Sequence, residues 1–277
     1  MARAPIPILK TNDIIAELFN YITNPFKIID KGSSEWLKIS KDVKAIKKRS
    51  FIEGYLLQAV LHALNNDEQS MEDCIRIVKN NGGHDSLFFF QIGCYFYNGS
   101  FYKILNELKV AQLNLLKISR SNLTSYTLYL THFGMNKTLA SLSSKLKKLN
   151  IDINDVAQNS SNLNQVLEHF NEDIHSQILA EVSTYLFKNR IDFSTYLYEY
   201  DEEQQAIFIE YFVIFYNENG DEIELSEKDF IDFDIKFQKH WINYAAQKNL
   251  DTDNLILSLT PFRYLSDSEI SELRGQL

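Results

Sequence analysis

The chain has 277 residues, of which 45% are hydrophobic and 23% are charged, the balance of a folded globular protein and not of a disordered one. Its 28 Lys and Arg are outnumbered by 37 Asp and Glu, which gives a formal net charge of −9. Because phosphate backbones select basic surfaces, this charge argues against direct binding of nucleic acid.

The two cysteines indicate a reducing compartment. Cys74 and Cys94 lie in separate predicted helices within apolar patterns, so we expect buried, reduced thiols and no disulfide framework. The first residues contain no apolar core of a signal peptide. The longest nearly apolar run, residues 206–216, contains Glu210 and is too short to span a bilayer. We therefore expect a cytoplasmic protein without a membrane partner.

Helical periodicity dominates the first part of the chain. Capping side chains at residues 11–13 start a predicted helix that ends at Pro25. Ser33 or Ser34 is expected to cap a second helix that carries Trp36, Leu37 and Ile39 on one face. Residues 41–64 then have apolar side chains three and four positions apart, which predicts one continuous helix.

One further helix and two helical hairpins follow. Asn and Asp at residues 65–67 break the preceding helix, and an apolar face over residues 71–78 ends at the Asn-Asn-Gly-Gly sequence of residues 80–83. Residues 87–111 then predict two amphipathic helices that meet at a tight turn over residues 98–100. A third such hairpin is predicted from residues 123–149, with its turn at Gly134.

The central hairpin resembles a tetratricopeptide (TPR) unit. The positions close to the Leu-Gly pair, aromatic pair, turn and Ala-Leu pair of that family are Ile92-Gly93, Phe96-Tyr97, Gly99-Ser100-Phe101 and Ile104-Leu105. Turns near Asp67, Gly99 and Gly134 are 32 and 35 residues apart, close to the TPR period of about 34. Ile104 and Leu139 depart from the family, which places small residues at that contact. The resemblance implies an irregular, TPR-like array whose stacked helix pairs bind other proteins.

The periodicity changes after a polar segment at residues 150–164, which we interpret as a linker between a helical domain, residues 1–150, and a second domain, residues 151–277. A long helix is predicted over residues 163–189. Aromatic and β-branched runs at residues 193–200 and 206–216 predict a hairpin whose second strand is central in a covered sheet.

The remaining elements complete an α+β domain with an antiparallel or mixed sheet and flanking helices. Asn219-Gly220 predicts a turn. Residues 230–237 alternate apolar and charged side chains as a strand does, although Ser226 and Asp229 are typical of a helix start; the strand is the interpretation adopted. A helix over residues 241–248, a strand over 254–259 and a terminal helix capped at Ser266 and Glu269 follow.

No catalytic or cofactor motif is present in the sequence. It lacks GxxxxGK[ST], GxGxxG and GxSxG. His62, His84, His132 and His240 are single, as structural histidines usually are. Glu168, Glu172 and His175 share one helix face, but no second Glu-x-x-His accompanies them, so we interpret them as a solvated polar face and assign no metal or cofactor.

One enzymatic alternative is a metal-dependent nuclease. The predicted order of elements from residue 163 to residue 259 resembles the core of the PD-(D/E)xK families. The resemblance implies Mg²⁺ held by Asp221 after the second strand and by Asp234 on the third, with Lys236 as the charge-stabilising lysine and Glu172 or Glu181 on the helix before.

The function favoured by the sequence is non-enzymatic binding of another protein, as an adaptor or as an antitoxin-like, immunity-like or chaperone-like regulator. The expected contact residues are Phe88, Tyr95, Tyr97 and Tyr102 on the central hairpin and Tyr196, Tyr198 and Tyr200 on the sheet. The net charge favours a basic partner. The lysine-rich residues 41–49 have two interpretations, a solvated helix face or a patch for an acidic partner. A structural subunit of a larger assembly is a further alternative, and homo-oligomerisation stays open.

Overall fold

The protein is α+β, with helices in its N-terminal part and a small sheet in its C-terminal part. The computed structural model describes residues 14–18, 21, 26–82, 87–111, 113, 118–148, 171–201, 206–250 and 255–262. Contacts divide the chain into two compact units. The first is Met1–Ser125 with Glu218–Asp221, and the second is Tyr126–Asn217 with Glu222–Leu277.

Between residues 34 and 110, the described part of the first unit contains five helices. They are α1 (Ser34–Lys47), α2 (Phe51–Ala63), α3 (Glu68–Asn80), α4 (Leu87–Tyr97) and α5 (Phe101–Val110). Ser33 caps α1, since its Oγ accepts a hydrogen bond from the Trp36 N–H at 3.1 Å. Asp67 caps α3 in the same way, accepting from the Ser70 N–H at 3.2 Å. The predicted breaks before and after α3 and the predicted α4–α5 hairpin are confirmed.

The prediction of one helix over residues 41–64 is wrong, because the chain turns between α1 and α2. The two helices approach closely at Gly54, where an added Cβ would lie 2.3 Å from Lys47 Cα. Glycine therefore permits the turn that the apolar periodicity concealed. Leu37 also differs from expectation: Trp36 and Ile39 are buried, whereas Leu37 is 61% exposed.

The third predicted hairpin consists of α6 (Arg120–His132) and α7 (Asn136–Lys148). Gly134 forms its turn with a φ of +59°. From Tyr126 onward these residues group with the second unit, where the Ser176 hydroxyl donates to the Phe133 carbonyl at 2.7 Å. The contact division thus falls within α6. The polar segment predicted as a linker, residues 150–164, lies outside the described residues.

The sheet of the second unit is built around one central strand. Its elements are α8 (Glu172–Lys188), β1 (Ile191–Asp201), β2 (Ala206–Tyr216), β3 (Glu222–Ile223), α9 (Glu227–Lys248) and β4 (Leu255–Pro261). β2 pairs antiparallel with β1 and β3 and parallel with β4, with Ile209 opposite Tyr198 and Leu257. The predicted hairpin and the central position of its second strand are confirmed.

The core of this unit joins α8 and α9 to one face of the sheet. Its buried side chains include Ile178 and Leu186 from α8, Phe237 and Trp241 from α9, and Tyr211 from β2. Alternate residues of β2 face this core, as the pleat of a strand requires. Among the described helices, none is both long and apolar enough to cross a membrane.

The strand predicted over residues 230–237 is wrong, because these residues belong to α9. Ser226 caps this helix by accepting from the Asp229 N–H at 3.2 Å. Phe237 and Trp241 are buried four positions apart, while Ile231 and Ile235 face outward. The helical period of the aromatic side chains therefore prevails over the alternation of apolar and charged residues. The predicted caps at residues 11–13, the start of the helix before residue 171 and the terminal helix after residue 262 lie outside the described residues.

Candidate functional site

The aromatic residues of the central hairpin differ in their availability to a partner. Tyr95 is buried, and its hydroxyl accepts from Gln91 Nε2 at 3.0 Å and donates to Glu72 Oε1 at 3.4 Å. Phe88, Tyr97 and Tyr102 are half-buried. Tyr95 therefore belongs to the packing of α3 against α4, and we no longer include it among the expected contact residues.

A charged network beside Tyr95 also serves the hairpin itself. Lys103 Nζ lies 2.6 Å from Glu68 Oε1 and 2.5 Å from Glu72 Oε1, and Gln91 Nε2 donates to Glu107 Oε1 at 2.7 Å. Burial opposes the charged amine, but the hydrogen bonds to the two carboxylates prevail and raise the pKa of Lys103. Lys103 of α5 bridges two carboxylates of α3, and Glu107 of α5 accepts from Gln91 of α4, so the network joins α3, α4 and α5 within the first unit.

The three tyrosines expected on the sheet lie along β1. Tyr196, Tyr198 and Tyr200 pair through their backbones with Tyr211, Ile209 and residue 207 of β2. The side chains of the three β1 tyrosines lie outside the described residues.

The residues of the nuclease alternative do not form the expected strand-borne site. Asp234 and Lys236 lie in α9, so their predicted place on a third strand is wrong. Asp234 accepts from Gln238 Nε2 within the same helix at 3.4 Å. Asp221 precedes the two-residue strand β3. No group of three or more potential metal ligands occurs among the described residues.

The polar face predicted around His175 is also wrong for that residue. His175 is 1% exposed, and burial lowers its pKa to about 4. Glu172, one turn earlier, accepts from the Lys137 N–H at 2.7 Å. The imidazole is thus part of the packing between the α6–α7 turn and α8, and Glu168 lies outside the described residues.

The single histidines within the described ranges have the structural partners expected of them. His132 Nε2 lies 3.2 Å from Ser183 Oγ, and its ring stacks on Phe193. His240 Nε2 lies 2.8 Å from Glu181 Oε1, and its ring stacks on Tyr185. His84 lies outside the described residues.

A groove in the first unit, between α1 and α2, brings apolar and basic side chains together. It encloses about 710 Å³. Buried Trp36 and Leu61 lie along it, and exposed Leu37 stands at its edge. Its remaining side chains include Lys41, Lys44, Lys48, Arg49, Gln58 and His62, and none of the residues that line it is acidic. We call this cavity the basic groove.

The cations of the basic groove follow one face of α1. Leu37, Lys41, Lys44 and Lys48 are separated by four, three and four positions, which places them on one helix face. Within the described ranges, Lys41, Lys44, Lys48 and Arg49 form no ion pair. Lysines elsewhere on α1 are engaged: Lys38 lies 2.5 Å from Glu17 Oε1, and the amine of Lys47 donates to Gln58 and lies over the Tyr55 ring.

His62 forms part of the groove wall in its neutral state. Its Nε2 lies 3.3 Å from Gln58 Nε2, its Nδ1 lies 3.4 Å from Asp67 Oδ2, and its ring meets Trp36 edge-on at 5.8 Å. The Nε2 nitrogen of Gln58 can only donate, so Nε2 of His62 accepts and the neutral ring carries its proton on Nδ1. Burial lowers the pKa of His62, which keeps the ring uncharged at neutral pH. The positive charge of the groove therefore comes from its lysines and arginine.

Sequence reasoning found the lysine run but not the groove beside it. A single helix over residues 41–64 has no second helix to form the other wall, so the turn before α2 is what creates the cavity. The sequence signal that could have indicated this site was the helical spacing of Leu37 and the three lysines, which places them on one helix face. No protein-family model, curated protein or solved structure matches this chain.

Proposed function

We propose that this chain is a non-enzymatic protein-interaction module, acting as a regulatory or neutralising partner of another protein. The observation that supports the proposal is the basic groove, in which buried Trp36 and Leu61 adjoin exposed Leu37 and a row of lysines that form no ion pair with any residue the structure describes. Protein interfaces combine an apolar centre with a polar rim in this way. The TPR-like character of the central hairpin supports the same function, because helix pairs present binding side chains on rigid elements.

Capture of a partner from a lysate of the source organism tests this function. The full-length chain is immobilised, and retained proteins are identified and quantified relative to bait. The Leu37→Ser variant removes an exposed apolar side chain at the groove edge without adding charge, and Val110→Ser, at a residue 71% exposed on α5, is its matched control.

We expect a stoichiometric partner on the wild type and on Val110→Ser, and its loss on Leu37→Ser. Exposed substitutions of this kind change the free energy of unfolding by about 0.5 kcal/mol or less, so both variants stay folded. Retention of the partner by Leu37→Ser at wild-type stoichiometry excludes the groove as its binding site. Failure of the wild type to retain any stoichiometric protein contradicts the function itself.

A second candidate function is that of a subunit in a larger assembly. Ile231, Ile235 and Ile242 lie on one side of α9 and are 49%, 46% and 62% exposed. A row of exposed isoleucines is typical of surfaces covered by another chain. Light scattering of the purified protein over a range of concentrations, beside an Ile235→Lys/Ile242→Lys variant, tests it: a monomer at all concentrations in both proteins excludes self-assembly through this row.

A further inference from the structure

The charge of residues 38–49, most of which belong to α1, differs in sign from that of the chain as a whole. Residues 38–49 contain six of the 28 Lys and Arg residues and one acidic residue, Asp42, while the chain carries a net charge of −9. At physiological ionic strength, charges more than about 8 Å away are largely screened. A ligand at the groove therefore experiences the local cations more strongly than the distant carboxylates.

The cations also have a fixed spacing along the groove. Lys41 and Lys48 are seven residues apart on one helix, which corresponds to about 10 Å at the rise of an α-helix. Leu37 lies one turn before Lys41 on the same face, beside buried Trp36. An apolar contact thus precedes a row of positive charges, in a defined direction along α1.

We infer that the basic groove binds a short acidic segment of a partner protein that carries one large apolar side chain at its end. Carboxylates of the segment pair with Lys41, Lys44 and Lys48, and the apolar side chain packs between Leu37 and Trp36. This inference rests on the proposed function and specifies the partner's chemistry. It reverses the expectation of a basic partner, which was based on net charge, because the groove itself has the opposite sign.

Nucleic acid fits the same residues less well. A long polyanion extends beyond the groove onto a protein surface of net negative charge, which repels it. It also leaves the exposed Leu37 side chain without an apolar contact. A short segment that combines carboxylates with an apolar anchor satisfies both parts of the groove.

Fluorescence anisotropy with synthetic labelled probes tests the inference. Three peptides of equal length are compared: an acidic helical peptide with a terminal leucine anchor, the same peptide with each Glu replaced by Gln, and the acidic peptide with its anchor replaced by Ser. A single-stranded DNA oligonucleotide is the fourth probe. The proteins are wild type, Lys44→Glu/Lys48→Glu and the matched control Lys147→Glu/Lys148→Glu, which makes the same charge change at exposed positions of α7.

We expect the anchored acidic peptide to bind the wild type most tightly. Its affinity falls by about tenfold or more with Lys44→Glu/Lys48→Glu, because like charges then face each other, and by less than about twofold with the control. Replacement of either the carboxylates or the anchor weakens binding to the wild type. Should the charge-reversed variant fail to fold by circular dichroism, the salt dependence of wild-type binding decides, since groove-bound carboxylates lose affinity as salt rises.

Three results overturn the inference. They are equal binding of the Gln and Glu peptides, an equal loss in both charge-reversal variants, and preferential binding of the oligonucleotide at the groove. This inference can fail while the proposed function stands. If the partner captured from lysate is lost with Leu37→Ser but retained with Lys44→Glu/Lys48→Glu, the chain binds protein at the groove and only the acidic chemistry of the segment is wrong.

Discussion

The substitution Gly134→Ala tests how closely the α6–α7 turn packs on α8. Gly134 has a φ of +59°, and a Cβ added there would lie 2.3 Å from His175 Nδ1, 2.5 Å from His175 Cε1 and 3.3 Å from Leu179 Cδ1. Alanine in this backbone conformation costs about 1–2 kcal/mol, offset by about 0.5–1 kcal/mol from the reduced entropy of the unfolded chain. Displacement of a buried side chain adds about 1–3 kcal/mol. We expect a loss of about 3 kcal/mol in the free energy of unfolding.

A double-mutant cycle separates the steric contribution from the backbone contribution. Gly134→Ala is introduced into the wild type and into a His175→Ala variant, and urea unfolding is followed by the fluorescence of Trp241, which lies in the core of the second unit. Trp36→Phe in every protein of the cycle removes the other tryptophan signal. With the imidazole absent, the cost of Gly134→Ala is expected to fall to about 1 kcal/mol, the backbone contribution alone.

Gly82→Ala, made in a protein that keeps Trp36 as the reporter of the first unit, provides the external control, because Gly82 also has a positive φ, +101°, but no atom lies within 4 Å of its added Cβ. It is expected to show a backbone cost without a steric one. An equal cost of Gly134→Ala in the presence and absence of His175 refutes the close packing of this turn against the imidazole.

Three further predictions concern titration, thiol reactivity and capping. Burial lowers the pKa of His175 from 6.5 to about 4, so the unfolded chain takes up a proton first, and stability is lost as pH falls from about 6.5 to about 4. Between pH 7 and pH 5 this group removes about 2 kcal/mol, measured by urea unfolding, and an equally steep decline in His175→Gln contradicts the assignment. Burial also raises the pKa of Cys74 to about 11 and raises that of Cys94, so both thiols should react with DTNB at pH 8 in urea but only slowly in the native protein; rapid native labelling of either one refutes its burial. Ser33→Ala removes the cap of α1 and should lower the free energy of unfolding by about 1 kcal/mol, with a smaller effect from Ser34→Ala, and equal effects would exclude the capping role.

Local signals in the sequence determined most of the secondary structure. Capping residues and helix breaks located α3, α4 and α5, because a cap and a stop act within one or two turns of the chain. The apolar runs of β1 and β2 predicted a hairpin for a similar reason, since both strands and the turn are adjacent in sequence. The double-sided apolar pattern of β2 further identified it as the central strand.

Tertiary packing decided the cases in which two local patterns overlapped. In residues 231–237, isoleucine or phenylalanine alternates with a charged residue as in a strand, whereas the three phenylalanines of residues 230–237 also recur at a helical spacing. Only the burial of Phe237 and Trp241 against the sheet selects the helix. The apolar pattern of residues 41–64 continues through the turn that separates α1 from α2, because both helices bury apolar side chains. Periodicity alone does not register a change of chain direction.

The basic groove likewise could be predicted only in part from the sequence. The sequence by itself determined the lysine run, its helical spacing and the two functions open to it, a solvated face or an acidic partner's contact. It did not determine that Leu37 is exposed or that Trp36 and Leu61 lie beside the lysines, because these facts require the fold-back of α2 onto α1. The groove forms only where two helices pack against each other, and it therefore depends on contacts between residues that belong to different helices.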